Sequence, residues 1–355
     1  MEVYVLNTNF EQIAFVDSYT SFIWTDRYYK AGDFELYMPT SREKLNIFKP
    51  DYYLWDKDSE HMMIIEDIRT NSDIEEGNNL TITGRSLESI LDRRIIWNQT
   101  ELTGSFQNGI KKLINDNITS SASDSSRRIS NFIFSASSDS AITTLTIDEA
   151  QYDGDNLYDV ICKLCEEKKV GFKVTLNSSN QFVFTLYVGA DRSYSQSANP
   201  FVVFSPNFEN IINSEYKENK SPSKNVVLVA GEGEGNERKK ATATSGSNYT
   251  GINRREMYLA SNLSTNNGEI SDSVYTKQLK EKGVEELKKY KIERIFEGEV
   301  ETSKIFVYKE DYYMGDILEL EDEYGRQSRT RVIEFIRNQD DSGYKAYPTF
   351  EVVDD

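Results

Sequence analysis

The chain contains very few of the residues that build metal centres, disulfide frameworks and rigid spacers. Its 355 residues include one histidine, His61, two cysteines, Cys162 and Cys165, and six prolines. This leaves few possible metal sites and few pairs of a nucleophile with a histidine base. Two cysteines separated by two residues also provide no disulfide framework, so the sequence favours synthesis in a reducing cytoplasm.

Long hydrophobic segments and a surplus of basic residues are also missing. The longest apolar runs, such as 62–65 and 226–230, are too short for a spanning helix, and residues 1–5 do not resemble a signal peptide. We therefore expect no membrane insertion. Asp and Glu total 59 against 41 Lys and Arg, which gives a net charge of −18. That balance argues against sequence-specific nucleic acid binding, which usually relies on a basic face.

Aromatic residues supply the apolar surface for a folded core. They make up 12% of the chain, with 22 tyrosines and 18 phenylalanines, although the mean hydropathy is −0.60. Alternating apolar and polar residues at 33–38, 172–176 and 182–186 predict strands, and apolar residues at helical spacing in 157–165 predict a helix. The whole pattern indicates a mainly β (α+β) protein.

The order of these patterns predicts how the chain divides into domains. Its length is too great for one small domain. We predict a first β domain at 1–98, an α/β insertion at 99–198 that ends in a polar stretch, a second β domain made of 199–240 and 295–355, and a helix-containing insertion at 241–294.

Local signals predict where several elements begin and end. Ser86 and Ser105 are each followed by apolar residues at helical spacing, so both serines are expected to cap helices. Gly171 follows the helical stripe at 157–165 and is expected to end that helix. The polar residues 177–180 lie between two alternating stretches and predict a hairpin turn.

The two ends of the chain show an internal echo. At each end a short Asp-Tyr-Tyr sequence precedes a strand with a central glutamate and a final arginine, then a polar turn and another strand. The matching stretches are 51–53, 64–69 and 80–83 in the first copy, and 311–313, 332–337 and 344–350 in the second. This order predicts a duplicated β domain. Convergent β patterning is the alternative, because short strands often look alike.

Cys162-x-x-Cys165 is the strongest candidate for redox or metal chemistry. A reactive thiol of this type usually lies at a helix N-terminus, where the helix dipole lowers its pKa. Here the pair lies within the predicted helix and is followed by Glu166 and Glu167, which would raise a thiol pKa. Zinc would require two further ligands, and His61 is the only histidine. We therefore expect two partly buried core thiols.

The other candidate motifs lack parts of the chemistry they would need. The glycine-rich stretch 231–235 contains two glutamates and no following Gly-Lys-Ser/Thr, so it does not fit a phosphate-binding loop. His61 precedes an apolar run and is expected at the end of a strand. Adjacent acids such as Asp340 and Asp341 carry little information among 59 acidic residues. We predict no catalytic, cofactor-binding or metal-binding residues and no cofactor.

Five segments, taken in order, resemble a known family. They are Ala31–Leu36, Gly84–Trp97, Lys224–Gly233, Asp311–Asp316 and Tyr347–Glu351. Together they resemble the tail-hub (baseplate hub) proteins of long-tailed phages and prophages of Gram-positive hosts. Each segment alone is a weak signal, whereas the ordered set spans nearly the whole chain.

The resemblance implies two tube-like β-barrel domains in each chain and a homotrimeric hub at the distal end of a phage-type tail tube. Three chains with two such domains each would adapt a sixfold tube to a threefold tip. The implied partners are the distal tail or tube protein, the C-terminal end of the tape-measure protein, and tip or fibre proteins. The implied location is the virion, after synthesis in the cytoplasm of the host bacterium. An acidic tube interior would repel DNA, although the charge could equally serve solubility.

Two other functions remain open at the level of sequence. A tail-associated cell-wall hydrolase would need a clustered acid and base or a metal site, and one histidine with scattered carboxylates disfavours it. The sequence stops shortly after Phe350, so we expect any lytic activity to come from a partner protein. A carbohydrate-binding receptor protein is the second alternative, because tyrosines can provide stacking surfaces for sugars.

Overall fold

The computed structural model describes residues 1–75, 77–265, 268, 270–300 and 305–353. The chain forms two compact units, one made of Met1–Ser214 and Glu297–Asp355 and the other of Glu215–Phe296. Strands predominate over helices, which confirms the predicted mainly β class. None of the helices in the described ranges is long and apolar enough to cross a membrane.

The first 98 residues are almost entirely β structure. Their elements are β1 Val3–Leu6, β2 Gln12–Val16, β3 Ser21–Arg27, β4 Asp33–Pro39, α1 Arg42–Ile47, β5 Tyr53–Asp56, β6 Met62–Asp73 and β7 Gly77–Ser86, followed by the 3₁₀ helix Leu87–Arg93. In β4 the side chains of Phe34, Leu36 and Met38 are buried while the alternate positions are not, as the period of a half-buried strand requires.

The segment 99–198, where the sequence predicts an α/β insertion, contains both helices and strands. It contains β8 Thr100–Ser105, α2 Phe106–Asn117, β9 Phe132–Ser135, α3 Ser140–Thr143, β10 Thr146–Tyr152, α4 Leu157–Lys168, β11 Gly171–Leu176 and β12 Phe182–Tyr187, with a short 3₁₀ helix at Ser125–Arg127. The buried stripes of α2 and α4 pack into one core with β9, β11 and β12. The predicted hairpin turn at 177–180 joins β11 to β12, which pair antiparallel.

The remaining residues form β13 Val203–Phe204, β14 Ile211–Asn219, β15 Val226–Ala230, β16 Lys240–Thr244, β17 Glu256–Ala260, α5 Asp272–Leu287, β18 Glu293–Val300, β19 Ile317–Glu321, β20 Gln327–Asp340 and β21 Gly343–Val352. Three 3₁₀ helices occur at Pro206–Phe208, Gly235–Glu237 and Gly251–Asn253.

One large sheet joins strands from both ends of the chain. Its order is β13-β19-β20-β3-β4-β7-β6-β5-β1-β2, and β21 pairs with β20 off this path, so it has eleven strands. The two predicted β domains therefore contribute to the same sheet. Their junction is the antiparallel pairing of β20 with β3.

The predicted ends of two helices differ from the structure. Ser105 caps α2 as expected, since its side chain accepts a hydrogen bond from the Asn108 amide. Ser86 instead precedes a 3₁₀ helix and makes no capping bond, because its hydroxyl accepts from the Gly32 amide at 2.7 Å. Helix α4 ends at Lys168, and its C-cap residue Lys169 takes the left-handed conformation with φ 57°. Gly171 is the first residue of β11.

The second compact unit has its own sheet and core. Strand β15 pairs antiparallel with β16 and parallel with β17, and α5 buries Tyr275, Leu279 and Leu287 against them. The sequence analysis assigned 226–230 to the second β domain and began the insertion at residue 241. The unit begins at Glu215, because β15 pairs with the strands that follow it. The boundary predicted near residue 198 lies inside the first unit.

Candidate functional site

Both cysteines lie in the core face of α4. Cys162 is 7% exposed and Cys165 is fully buried. Burial raises the pKa of the Cys162 thiol to about 12, and it raises the pKa of Cys165 well above its usual range. A protonated thiol is a poor nucleophile and a poor metal ligand. Their environment therefore suits hydrophobic packing.

His61 lies immediately before β6 and forms a buried pair with an acid that sequence reasoning did not single out. Its Nδ1 is 3.2 Å from Oε1 of Glu88, which also accepts a hydrogen bond from the Val174 amide at 2.8 Å. Burial alone would lower the pKa of His61, but Asp26 and Glu88 raise it to about 9. The pair therefore links β6, the 3₁₀ helix Leu87–Arg93 and β11 by charge.

A second buried ion pair joins two strands of the large sheet. Arg337 on β20 donates to Asp56 at the end of β5 at 2.5 Å, and both side chains are at most 5% exposed. The guanidinium of Arg337 also lies over the ring of Trp24, whose indole N–H donates to Asp26 at 2.8 Å. These contacts connect β20 with β3 and β5, so their role is structural.

The glycine-rich stretch 231–235 has its first amides occupied by the protein itself. The Gly231 amide donates to the Lys239 carbonyl at 2.8 Å, and the Glu232 amide donates to the Tyr275 hydroxyl at 2.8 Å. The Glu232 carboxylate accepts from the Thr265 amide, and this bond lowers its pKa. A phosphate would meet a carboxylate here and would find these two donors already in use.

The adjacent acids are not arranged for acid–base catalysis. Glu166 and Glu167 are exposed on α4, and Asp340 accepts hydrogen bonds from the amide and hydroxyl of Ser342 in the β20–β21 turn. Within the described residues, no group of three or more His, Cys, Asp and Glu side chains has the geometry of a metal site.

The internal echo corresponds to two long hairpins with the same irregularity. Hairpin β6–β7 shifts register between Ile65 and Asp67, and hairpin β20–β21 shifts between Val332 and Glu334. Such a β-bulge is a specific feature of a strand rather than a random defect. The bulges align Ile65 with Val332, whereas the sequence comparison aligned Ile64 with Val332. The structural repeat is therefore one residue out of step with the sequence echo.

The backbone around the two bulges is also equivalent. In the first copy, Ile65 donates to the Tyr52 carbonyl at 2.8 Å and accepts from the Asp51 amide at 2.9 Å. In the second copy, Val332 donates to the Asp316 carbonyl and accepts from the Gly315 amide, both at 2.9 Å. In the first copy the hydrogen-bond partners Asp51 and Tyr52 belong to the Asp-Tyr-Tyr sequence. In the second copy the partners Gly315 and Asp316 lie just after the Asp-Tyr-Tyr sequence at 311–313.

Beyond their bulges the two long strands have different surroundings. Residues 334–340 of β20 pair with β3, and Nε of Arg27 on β3 lies 2.6 Å from Oε1 of Glu334. In β6 the corresponding residues 67–73 are exposed apart from the half-buried Ile68. Among the described strands, this part of β6 pairs only with β7. One edge of β6 is therefore a candidate surface for assembly.

A separate cleft of about 480 Å³ brings together side chains of both charges and an exposed aromatic ring. It is lined by three arginines, two aspartates and a tryptophan that is 59% exposed, namely Arg93, Arg94, Arg127, Asp92, Asp124 and Trp97. Burial and repulsion from the other two arginines lower the pKa of Arg94. Arg94 and Arg127 donate mainly to backbone carbonyls, and no described carboxylate forms an ion pair with either. The guanidinium of Arg127 lies 5.1 Å from the centre of the Trp97 ring, so the cleft presents an arginine–tryptophan pair beside the two aspartates.

Comparison with known proteins identifies relatives of the whole chain. A family model described as siphovirus ReqiPepy6 Gp37-like protein matches residues 2–350. No curated protein sequence matches the chain.

Solved structures of tail proteins are similar over nearly their full length. The tail protein from Neisseria meningitidis MC58 has a TM-score of 0.57 at 12% identity, covering 99% of this chain and 96% of its own. The 43 kDa tail protein of prophage MuSo2 from Shewanella oneidensis has a TM-score of 0.55 at 11% identity, covering 99% and 98%. The prophage tail protein gp18 from Listeria monocytogenes EGD-e has a TM-score of 0.54 at 12% identity, covering 100% and 95%. The resemblance to phage and prophage tail proteins that the sequence motifs indicated is thus confirmed.

Proposed function

The chain belongs to the family of siphovirus ReqiPepy6 Gp37-like proteins and has the fold of phage and prophage tail proteins, and from this premise we propose that it is a structural protein of a phage-type tail. In its finer form the proposal is a homotrimeric hub at the distal end of the tail tube, which adapts a sixfold tube to a threefold tip. It acts by assembly rather than by catalysis.

The observation that carries this proposal is the repeated hairpin. Two hairpins in one chain have equivalent bulges and equivalent backbone hydrogen bonds, although their sequences differ. Three copies of such a chain contain six similar hairpins, which is the number that a sixfold tube requires. A function limited to one chain would not need this repetition.

The proposed partners follow from the position of a hub in a tail. They are the distal tail or tube protein on one side, the C-terminal end of the tape-measure protein inside, and tip or fibre proteins outside. The proposed location is accordingly the tail tip of a virion. We also propose that the two β segments are the tube-like domains and that the segments at 99–198 and around 241–294 are insertions between their strands.

The non-enzymatic role is supported by the surroundings of the candidate catalytic residues. His61 is paired and buried, both cysteines are buried, and the amides of Gly231 and Glu232 are occupied. Each of these residues therefore has a structural contact in place of a free reactive group.

The test is the mass of the purified full-length protein by light scattering over a range of concentration and salt. We expect a species near three times 40.9 kDa, and averaged electron micrographs of it should show a ring with six similar lobes around a threefold axis. A protein that stays monomeric alone and when mixed with its tube partner would overturn the hub.

A carbohydrate-binding receptor protein is the second candidate, and the cleft with Arg94, Arg127 and Trp97 is the observation that favours it. An exposed tryptophan can stack on a sugar face, and the arginines can bind its anionic groups. Binding of the monomer to isolated cell walls, abolished by Trp97→Ala, would favour this function over the hub.

A further inference from the structure

We propose that the exposed edge of β6 beyond its bulge pairs antiparallel with β14 of a second copy of this chain. The residues concerned are 67–72 of β6 and 211–217 of β14. This inference rests on the proposed function, because it specifies the contact between neighbouring copies in the ring. It names the strands, their direction and their register, which the oligomeric state alone does not.

The first step is the order of elements in the two copies. The first copy contains the hairpin β3–β4, the short strand β5 and the long hairpin β6–β7. The second contains the pair β14–β18, the short strand β19 and the long hairpin β20–β21. The two orders match strand by strand, except that residues 220–292 lie between β14 and β18. In this correspondence β14 is the counterpart of β3.

The second step concerns which edges are covered. Strand β3 covers the second half of β20, so the contact from the first copy to the second is made within one chain. The reverse contact would join β14 to the second half of β6. Among the described strands, β14 pairs only with β18, and residues 67–72 of β6 pair only with β7. A contact between different surfaces of identical chains repeats head to tail and can close into a ring.

The third step is the register. The bulges align Asp67 with Glu334. Alignment of the first residues of β3 and β14, Ser21 and Ile211, places Lys217 at the position of Arg27. Arg27 is opposite Glu334 in the ladder, and the two form an ion pair at 2.6 Å. The same register places Lys217 of one copy opposite Asp67 of the next.

A second pair of opposite charges follows from this register without further assumption. Two residues further along the ladder, Thr25 of β3 is opposite Ile336 of β20. In the proposed contact Glu215 of one copy takes the position of Thr25, and Arg69 of the next copy takes the position of Ile336. Opposite charges directly across an antiparallel ladder are favourable, and like charges are unfavourable. Asp67, Arg69, Glu215 and Lys217 are all exposed in the single chain. Their present contacts, Arg69 with Asp67 at 3.5 Å and Lys217 with Glu293 at 3.0 Å, are between exposed side chains and can be exchanged.

The test is a charge exchange in the full chain. Asp67→Lys and Lys217→Asp should each raise the protein concentration needed for self-association by roughly tenfold, because like charges would then be opposite each other. The double variant should recover most of the lost association. Glu75→Lys is the matched control, since it makes the same charge change at the tip of the same hairpin outside the paired residues, and it should associate like the unmodified protein.

A disulfide tests the register itself. The variant with Arg69→Cys and Glu215→Cys should form covalent multimers under mild oxidation, whereas each single variant on its own should not. The native cysteines are buried and should not interfere. Circular dichroism confirms that each variant is folded. An unmodified protein that trimerises while the charge variants and the disulfide have no effect would overturn this inference and leave the hub intact. An unmodified protein that never associates would overturn both.

Discussion

At the scale of single residues, the pair of His61 and Glu88 makes the stability of the fold depend on pH. The folded chain raises the pKa of His61 from 6.5 to about 9. A group of this kind favours the folded state fully below pH 6.5, and this contribution is lost as the pH rises through about 9. We expect the free energy of unfolding to fall over this interval by on the order of 3 kcal/mol.

The measurement is urea unfolding followed by tryptophan fluorescence at several pH values between 6 and 10. His61→Gln should remove the fall that belongs to this group and should also destabilise the protein near neutral pH, because Glu88 is left buried without its charged partner. A His61→Gln variant with the same pH profile as the unmodified protein would contradict the assignment of the charge to His61.

The partner of His61 shows what sequence reasoning could not find at this scale. The strand position of His61 was predictable from the apolar run that follows it. Glu88 lies 27 residues further along in a 3₁₀ helix, and it reads as an exposed acid in the sequence. Only the packing of β11 against that helix brings the Val174 amide and His61 to its carboxylate. Such a contact leaves no local pattern.

At the scale of elements, Gly171 shows how closely the α/β segment packs against the large sheet. A Cβ atom at residue 171 would lie 2.2 Å from the ring of Tyr28 and 2.9 Å from that of Tyr187. Tyr28 is fully buried, and its hydroxyl donates to the carbonyls of Lys169 and Tyr187. We expect Gly171→Ala to destabilise the protein by about 1–3 kcal/mol, since neither ring can move away easily.

Thermal unfolding is the appropriate measurement for this change. Gly246→Ala is the matched control, because a Cβ atom there would meet only the Tyr249 hydroxyl at 3.6 Å. Equal stability of the two variants would show that the α/β segment is free to separate from Tyr28. The sequence analysis treated Gly171 as a helix end, since the rule for helical C-termini is local and the position of Tyr28 is not.

The elements themselves were largely predictable wherever neighbouring residues determine them. The hairpin β11–β12, helix α2 with its Ser105 cap, and the echo at the two ends follow from periodicity and turn residues. The pairing of β20 with β3 was not predictable, because its residues are more than 300 positions apart. The echo was found one residue out of register, since a bulge adds a residue without leaving a distinct sequence signal.

At the scale of the whole molecule, the second compact unit should lose its structure independently of the first. Its core contains Leu279, which is 1% exposed and lies among residues of the same unit. Leu279→Ala should destabilise this unit by about 2–5 kcal/mol. Hydrogen–deuterium exchange should then increase in Glu215–Phe296, while protection of the large sheet is retained.

Lys280→Ala is the control for this experiment, because its side chain is exposed on the same helix. Loss of protection throughout the chain in Leu279→Ala would show that the two units unfold together. The sequence analysis placed β15 in the second β domain and began the insertion at residue 241, because the local pattern of β15 does not indicate which strands pair with it. Four of its five residues are buried, so its composition did not reveal which sheet it joins.

The pairing of β20 with β3 has a consequence for how the protein is made. The partners of residues 21–27 are residues 334–340, which are synthesised more than 300 residues later. The edge of β3 must therefore stay uncovered while the intervening residues are made, and the large sheet can be completed only after residue 340 has emerged. Contacts so distant in sequence slow folding and prolong exposure of a strand edge. Slower translation should therefore give no earlier folding of the large sheet. Production at low temperature or with a chaperone should raise the soluble yield, because it limits aggregation through the uncovered strand edge.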